Sequence, residues 1–393
     1  MKIERLELRL LKLPLVHFFE TSFGRIYDKH FIIVRADGGG VSGYGECVAE
    51  RDPYYSAETN DTAWHIIADF IAPRVLGAPF SHPRDVFPAL KAIRGHHMAK
   101  AAVEMAAWDL YARQQGEPLA RVIASGASGA PGGGSRDRIA SGVSIGIQDS
   151  LDDLAAKVER ELAVGYRRIK IKIKPGWDVD AVDMIRRRFG SIPLMVDANA
   201  AYTLADADHL AQLDQYDLMM IEQPLDYDDI ADHASLQRRL KTPICLDESI
   251  HSLADAREAI GLGACRIINI KPGRVGGIGE SIRLHDLCAQ HGIPVWHGGM
   301  LESGIGRAAN IHVSTLPNFS LPGDIAGSKR YFDPDLIEPP IEVAADGTIA
   351  VPSGPGLGVS IRHERVERAT RRYAKFEVGS LKSDVPADFK LQT

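Results

Sequence analysis

From Ile139 onward, polar residues recur at the ends of short apolar runs with a period close to 25. Lys172, Asp197, Glu222, Asp247, Lys271, His297 and Asp324 follow one another at intervals of 25, 25, 25, 24, 26 and 27 residues. One strand, one helix and two short loops occupy about that length. The apolar runs read as strands: "IASGVSIG" (139–146), "RRIKIKI" (167–173), "IPLMVDAN" (192–199), "DLMMIEQP" (217–224), "PICLDES" (243–249), "RIINIKP" (266–272), "IPVWHGGM" (293–300) and "FSLPGDI" (319–325). Amphipathic helical stretches separate them. Strand–helix alternation with right-handed crossovers demands a parallel sheet. Eight such strands predict an α/β fold, a closed TIM-type barrel whose C-terminal strand ends carry the chemistry.

The remainder of the 393 residues leaves room for a second domain. Residues 1–124 alternate three strand-like runs, "IERLELRLLKL", "HFIIVRA" and "SGYGECV", with later helical periodicity that ends in "HMAKAAVEMAAWDLYARQQG", where Gly116 is the expected C-cap. This predicts an N-terminal α+β domain. A Gly/Ser-rich stretch at 124–138 reads as a loop or boundary before a barrel at 139–328. Residues 329–393 read as strands and turns returning to the first domain, followed by a polar tail. The formal net charge of −6 argues against a nucleic-acid or membrane-surface protein. Four scattered cysteines without CxxC spacing suit a reduced, cytoplasmic protein without disulfides or structural zinc. The charge-interleaved N-terminus is a strand pattern and not a signal peptide, and no apolar run is long enough to span a membrane.

Within the barrel, Asp197, Glu222 and Asp247 end consecutive strands and converge on one patch. Taken singly, each could be a helix N-cap. Three in register point to an oxygen-loving divalent cation, which removes their mutual repulsion. Lys172 and Lys271 flank the trio, one strand away on either side. They would hold the α-carbon of a metal-bound carboxylate between two amines, one removing the α-proton and the other returning it. "RRIKIKIKP" places Lys170, Lys172 and Lys174 on one face of a strand. The alternative is a solvated edge of an antiparallel sheet. At about 6–7 Å and an effective dielectric of about 20, Lys170 would repel Lys172 by roughly 2.5 kcal/mol, lowering its pKa by about two. Arg274 is expected to act similarly on Lys271, and Lys174 to lie at the rim.

Taken together, "KIKIKPGWD" (170–178), "VDANAAYTL" (196–204), "IEQPL" (221–225), "CLDESI" (245–250), "NIKPGRVGG" (269–277), "HGGMLESGIGRAANIH" (297–312) and "LPGDI" (321–325) resemble the enolase superfamily in its muconate-lactonizing-enzyme subgroup. Nearly the whole chain is covered. "FETSFGR" (19–25) and "GHHMAKAAVEMAAWDL" (95–110) bring it nearest to the o-succinylbenzoate synthase / N-acylamino acid racemase family. That resemblance implies a (β/α)7β barrel beneath an N-terminal α+β capping domain. It implies Mg²⁺ (or Mn²⁺) on Asp197, Glu222 and Asp247, and Lys172 with Lys271 as acid/base pair, tuned by Lys170. Asn199 and Glu248 would support the metal site, with Arg274 beside it. Capping loops 18–27 and 49–56 would close over a small carboxylate substrate, with Phe19, Phe23, Tyr54 and Tyr55 as apolar walls. Gly298, Gly299, Met300 and Glu302 would complete the pocket, and the protein would be a homo-oligomer.

The implied reaction is racemisation of an N-succinylamino acid, dehydration to o-succinylbenzoate, or both. Muconate cycloisomerase is the rival on the same scaffold. A Schiff-base lysine would leave three carboxylates without a use, and an inactive scaffold would not keep all five groups in register. Two departures from the family stand out. Glu50 places a charge in a loop expected to be apolar, and His97 stands where another basic or polar residue is expected. His251, His285 and His291 are expected to be solvated. "GPGLGV" (354–359) is expected to be a turn and not a phosphate loop.

Overall fold

The computed structural model describes residues 1–125 and 136–379. Residues 126–135 of the Gly/Ser-rich stretch and the end of the polar tail therefore lie outside the described residues. Three antiparallel strands, β1 (Arg5–Thr21), β2 (Gly24–Gly38) and β3 (Val41–Cys47), open the chain. Helix α1 (His97–Gln115) packs across β3 and ends at Gly116, whose φ of 70° gives the left-handed cap. The contact is close because β3 carries glycines where α1 crosses. A Cβ on Gly45 would lie 2.0 Å from the Ala102 carbonyl oxygen, and one on Gly43 would lie 2.2 Å from the Leu110 nitrogen.

The barrel strands are β4 (Gly142–Ile145), β5 (Arg168–Lys172), β6 (Leu194–Asp197), β7 (Ile221–Glu222), β8 (Ile244–Leu246), β9 (Ile267–Ile270) and β10 (Val295–His297). They pair in parallel in sequence order. Helices α2 (Leu151–Val164), α3 (Val179–Phe189), α4 (Leu253–Leu262), α6 (Ile278–Gln290) and α7 (Gly304–Val313) cover the outside, joined by shorter helical turns after β6 and β7, and the short α5 (Pro272–Val275) is buried at the mouth against α1. Ile169, Ile171 and Ile173 are buried in the main core, so the lysine ladder is no solvated edge. None of these helices is long and apolar enough to cross a membrane.

The eighth stave, expected as a strand over 319–325, is not a regular one. It closes the barrel by isolated parallel bridges, Phe319 beside Val295 and Gly323 beside Ser141. Pro322 has no N–H to donate, and the chain pairs only on either side of it. Last among the strands, β11 (Thr370–Glu377) returns to lie antiparallel beside β1.

Two buried carboxylates of the N-terminal domain dock it onto barrel helices. Glu46 accepts from Ser303 N (2.9 Å), Ser303 Oγ (2.6 Å) and Gly306 N (3.0 Å) at the start of α7. Glu104 accepts from Ile278 N and Gly279 N (2.8 Å each) at the start of α6, and from Trp108 Nε1 (2.6 Å). Helix N-termini present unpaired N–H groups and positive dipole ends, so a carboxylate satisfies both.

The α1–β3 contact leaves no space for a side chain. Gly45→Ala is expected to cost about 1–3 kcal/mol through overpacking, read as a lower midpoint in thermal denaturation.

Candidate active site

β-Strand alternation turns Lys170 and Lys172 inward, and the parallel register sets their neighbours. Lys172 pairs with Asp197, and Asp197 with Glu222, on one continuous rung. Glu222 then pairs with Cys245, so Asp247 stands two residues further along its strand. The three carboxylates, expected in register, are therefore staggered. Barrel shear is the cause, since closing a sheet displaces successive strands.

Lys172 Nζ donates to Asp197 Oδ2 and to Asn199 Oδ1, both at 2.6 Å. Asn199 Nδ2 in turn donates to Glu248 Oε1 at 2.8 Å. Lys271 Nζ donates to Asp247 Oδ2 at 2.6 Å and to Tyr55 Oη at 3.0 Å. In a ring of eight staves, β5 and the end of β9 lie four apart, so Lys172 and Lys271 face each other across the mouth. Asp197, Glu222 and Asp247 occupy the arc between them, all buried.

Lys170 departs from the sequence reading. Its ammonium contacts Asp197 (2.9 Å), Glu222 (2.8 Å) and Asp324 (2.5 Å). Against the opposing effect of burial, those three carboxylates hold its pKa well above the ordinary lysine value. The Lys170 ammonium therefore does not stand beside Lys172 as an isolated like charge, because both share the Asp197 carboxylate. Arg168 reaches Asp324 as well, at 2.6 Å. Arg274, expected near Lys271, is buried on α5, pairs with Asp247 and donates to Ile250 O at 2.7 Å. Its nearest charged partner is thus the carboxylate that also holds Lys271.

Asp197, Glu222 and Asp247 form an oxygen-only donor set, the kind hard divalent cations prefer. Burial, and then the Asp197 charge, push the Glu222 carboxyl well above its usual range. A cation among the three would relieve that repulsion, so the residues fit Mg²⁺ or Mn²⁺. Among the described residues no three His, Cys, Asp or Glu side chains are gathered as a ready metal group. The ammonium groups of Lys170, Lys172 and Lys271 are what neutralise the carboxylates.

A cavity opens above these groups between the barrel mouth and the capping loops. Phe19, Phe23, Tyr54, Tyr55, Gly299 and Met300 line it together with Lys170, Lys172, Lys271 and Asn199. Tyr54 is largely exposed, whereas Phe19 is buried and meets Tyr331 edge-on at 6.4 Å. Gly298 lies behind the wall. A Cβ there would come within 2.3 Å of the Asn269 side chain and 2.5 Å of Lys271 Cε, so only glycine leaves Lys271 its place. Glu302 does not line the cavity. It accepts from Met300 N and Asn310 Nδ2, each at 2.8 Å, and so shapes the turn carrying Met300. Glu50 does line it, held at 2.8 Å by the buried Lys29.

Other residues of the site carried no separate sequence signal. Asn269 Nδ2 donates to Glu222 Oε1 at 2.6 Å. Gln223 Oε1 accepts from Asp247 N at 3.0 Å, and its Nε2 donates to Ser249 Oγ at 2.6 Å, tying β7 to the end of β8. Asn199, Ala200, Gln223 and Leu301 have positive φ without being glycine, which concentrates backbone strain at this end of the barrel. Asp324 did have a signal, the recurrence itself, but not one that revealed its ion pairs. His297 is buried, and burial lowers its pKa to about 4. His285, expected to be solvated, is buried instead, stacks on Phe319 and accepts from Asn318 N at 2.9 Å. The eighth stave needs that anchor because it has no continuous ladder. His251 is half-buried beside Asp228 and His291 is exposed. His97 starts α1, stacked on Phe87, away from the cavity.

Residues 7–124 match the mandelate racemase / muconate lactonizing enzyme N-terminal domain, and residues 153–366 match the enolase C-terminal domain-like family. An o-succinylbenzoate synthase from Geobacillus kaustophilus is 54% identical over 94% of this chain and 96% of its own. An N-succinylamino acid racemase from Thermus thermophilus is 48% identical over 94% and 98%. A crystal structure of an enolase-superfamily protein from Enterococcus faecalis V583 superposes with a TM-score of 0.87 at 44% identity, covering 95% of this chain and 99% of that one.

Removing the Lys170 ammonium takes one cation from Asp197 and Asp324 and leaves the buried Glu222 with only the Asn269 amide among the described residues. Lys170→Met is expected to destabilise the fold by about 3–5 kcal/mol in denaturant titration, while Lys174→Ala, at the half-exposed rim, stays within about 0.5 kcal/mol of the parent.

Proposed function

The chain belongs to the mandelate racemase / muconate lactonizing enzyme family of the enolase superfamily, and from that premise we propose that it abstracts the proton α to a carboxylate, racemising N-succinylamino acids, forming o-succinylbenzoate, or both. The observation that carries this reading is the opposition of Lys172 and Lys271 across one cavity, with three carboxylates on the arc between them. A substrate held there presents its α-carbon to an amine on each face.

Asp197, Glu222 and Asp247 would hold Mg²⁺, which when bound supplies Lewis-acid stabilisation of the negative charge developing on the substrate carboxylate. Lys172 and Lys271 do the proton work. For racemisation each must act in turn as base and as acid, since the proton leaves one face and arrives at the other. For dehydration Lys172 takes the α-proton, and Lys271 need only remain an ammonium near the developing charge. Asn199 fixes the Lys172 amine and is itself held by Glu248. Tyr55 and Asp247 fix Lys271, so a residue of the capping loop helps hold a barrel lysine in place. Closure of Phe19, Phe23 and Tyr54 over the cavity would exclude water from the carbanion-like species. Relatives with both names stand at 48–54% identity, which supports one site serving both reactions.

In D₂O the enzyme is expected to exchange the α-proton of both enantiomers of an N-succinylamino acid. Lys172→Ala is expected to abolish exchange from one enantiomer and Lys271→Ala from the other, each by at least about 10²–10⁴-fold. The same preparations assayed for o-succinylbenzoate formation divide the two activities. Exchange with neither enantiomer, combined with no aromatic product, overturns the proposal. Separately, EDTA is expected to remove activity and millimolar Mg²⁺ to restore it; turnover that persists in chelator contradicts the metal assignment.

A further inference from the structure

A second groove lies between α2 and the 327–343 segment, and it shares no lining residue with the catalytic cavity. Its walls bring together Lys157, Arg160, Lys329 and Arg330, with His17 beside them and only Glu161 and Glu342 opposing their charge. In a chain of net charge −6, this is a local reversal of sign. Glu161 is buried, and one of its oxygens serves two cations, Arg330 Nε at 3.1 Å and Lys157 Nζ at 3.3 Å. Arg160 and Lys329, both exposed, have no carboxylate partner among the described residues. The side chains of Lys157 and Arg330 are only 12% and 10% exposed, so their charge is poorly screened by water. Burial, and then the Arg330 charge, lower the Lys157 pKa, while His17 is lowered by burial and then by Lys157. Excess positive potential in a partly desolvated groove favours an anion. Val164, Pro340, Ile341 and Val343 add an apolar wall beside it.

The groove also touches the machinery that covers the catalytic cavity. Arg330 Nη2 donates to Ser144 O at 3.2 Å, and both Ser144 and the next residue, Tyr331, line the catalytic cavity. Val16 N donates to Tyr331 O at 2.9 Å, so the β1 segment bearing His17 and Phe19 is pinned to the same residue. His17 belongs to the capping domain, whereas Lys157, Arg160 and Arg330 belong to the barrel side. An anion between them bridges the two.

We propose that this groove binds a small phosphate monoester carried on an apolar body, and that its occupancy locks the 16–24 hairpin against the barrel. The phosphate takes the Lys157, Arg330 and Arg160 charges and accepts an N–H from the His17 ring, and the body lies on Val164 and Ile341. This goes beyond the catalytic reading and does not rest on it, since the measurements below read binding and backbone protection without turnover.

Phenyl phosphate titrated calorimetrically into the full-length protein is expected to bind saturably, with phenol as the neutral control giving no heat. Arg160→Glu with Lys329→Glu, both exposed and outside the catalytic groups, is expected to weaken phenyl phosphate binding by about tenfold or more. Hydrogen–deuterium exchange is expected to slow over residues 16–24 when phenyl phosphate is added to the parent and not to the double variant. Absence of saturable binding, equal affinity of the double variant, equal binding of phenol, or unchanged exchange in the hairpin each overturns the proposal. A double variant that changes subunit number with ligand affinity intact assigns the groove to an interface between copies, and also overturns it.

Discussion

The barrel is closed electrostatically as much as by hydrogen-bond ladders. Its eighth stave, residues 319–324, has only isolated backbone bridges, and Pro322 interrupts what pairing there is. Asp324 compensates by forming ion pairs with Arg168 and Lys170 on β5 at 2.6 and 2.5 Å. Lys170 then passes the same charge on to Asp197 and Glu222. One ammonium thus ties the closing stave to the second, third and fourth. Buried ions of this kind are tolerated only when each is surrounded by opposite charge, and here every carboxylate on the arc has a cationic or amide partner. The arrangement that closes the barrel is the one that assembles the charged groups at its mouth.

The capping domain is attached by a related device. Glu46 and Glu104 each offer a buried carboxylate to the N–H groups at the start of a barrel helix. Those helices, α6 and α7, follow the loops that carry Lys271 and Gly298. Docking the domain therefore also steadies the loops from which Lys271 and its glycine clearance emerge. Tyr55 completes the connection from the other side by touching both Lys271 and Asp247. A cavity formed between two bodies needs such ties, because its lining groups come from both and must keep their spacing.

Much of this was legible along the chain, because strand–helix repetition and strand alternation are local rules. The 25-residue recurrence located Lys172, Asp197, Glu222, Asp247 and Lys271, and alternation separated the inward Lys170 and Lys172 from the outward Ile169 and Ile171. Local rules cannot say what an inward charge meets. Lys170 was read as a like charge beside Lys172, yet its neighbours are Asp197, Glu222 and a residue 154 positions away, Asp324. His285 was read as solvated on a helix face, and only the packing of Phe319 against it makes it a buried anchor. Glu302 sits inside a motif that suggested substrate contact, and its actual partners are Met300 N and Asn310.

By itself, then, the sequence determined the order of staves, the inward faces and the identity of the charged groups at the barrel mouth, since each follows from periodicity within about 25 residues. Only the tertiary structure decided the stagger that sets Asp247 two residues beyond the Glu222 rung, the pairing of Lys170 with Asp324, and the meeting of His17 with Lys157 and Arg330. Those depend on how far neighbouring strands slide when the sheet closes and on which distant segments the closure brings together. Electrostatic roles follow distance in space, and chain spacing leaves that distance open until the barrel is shut.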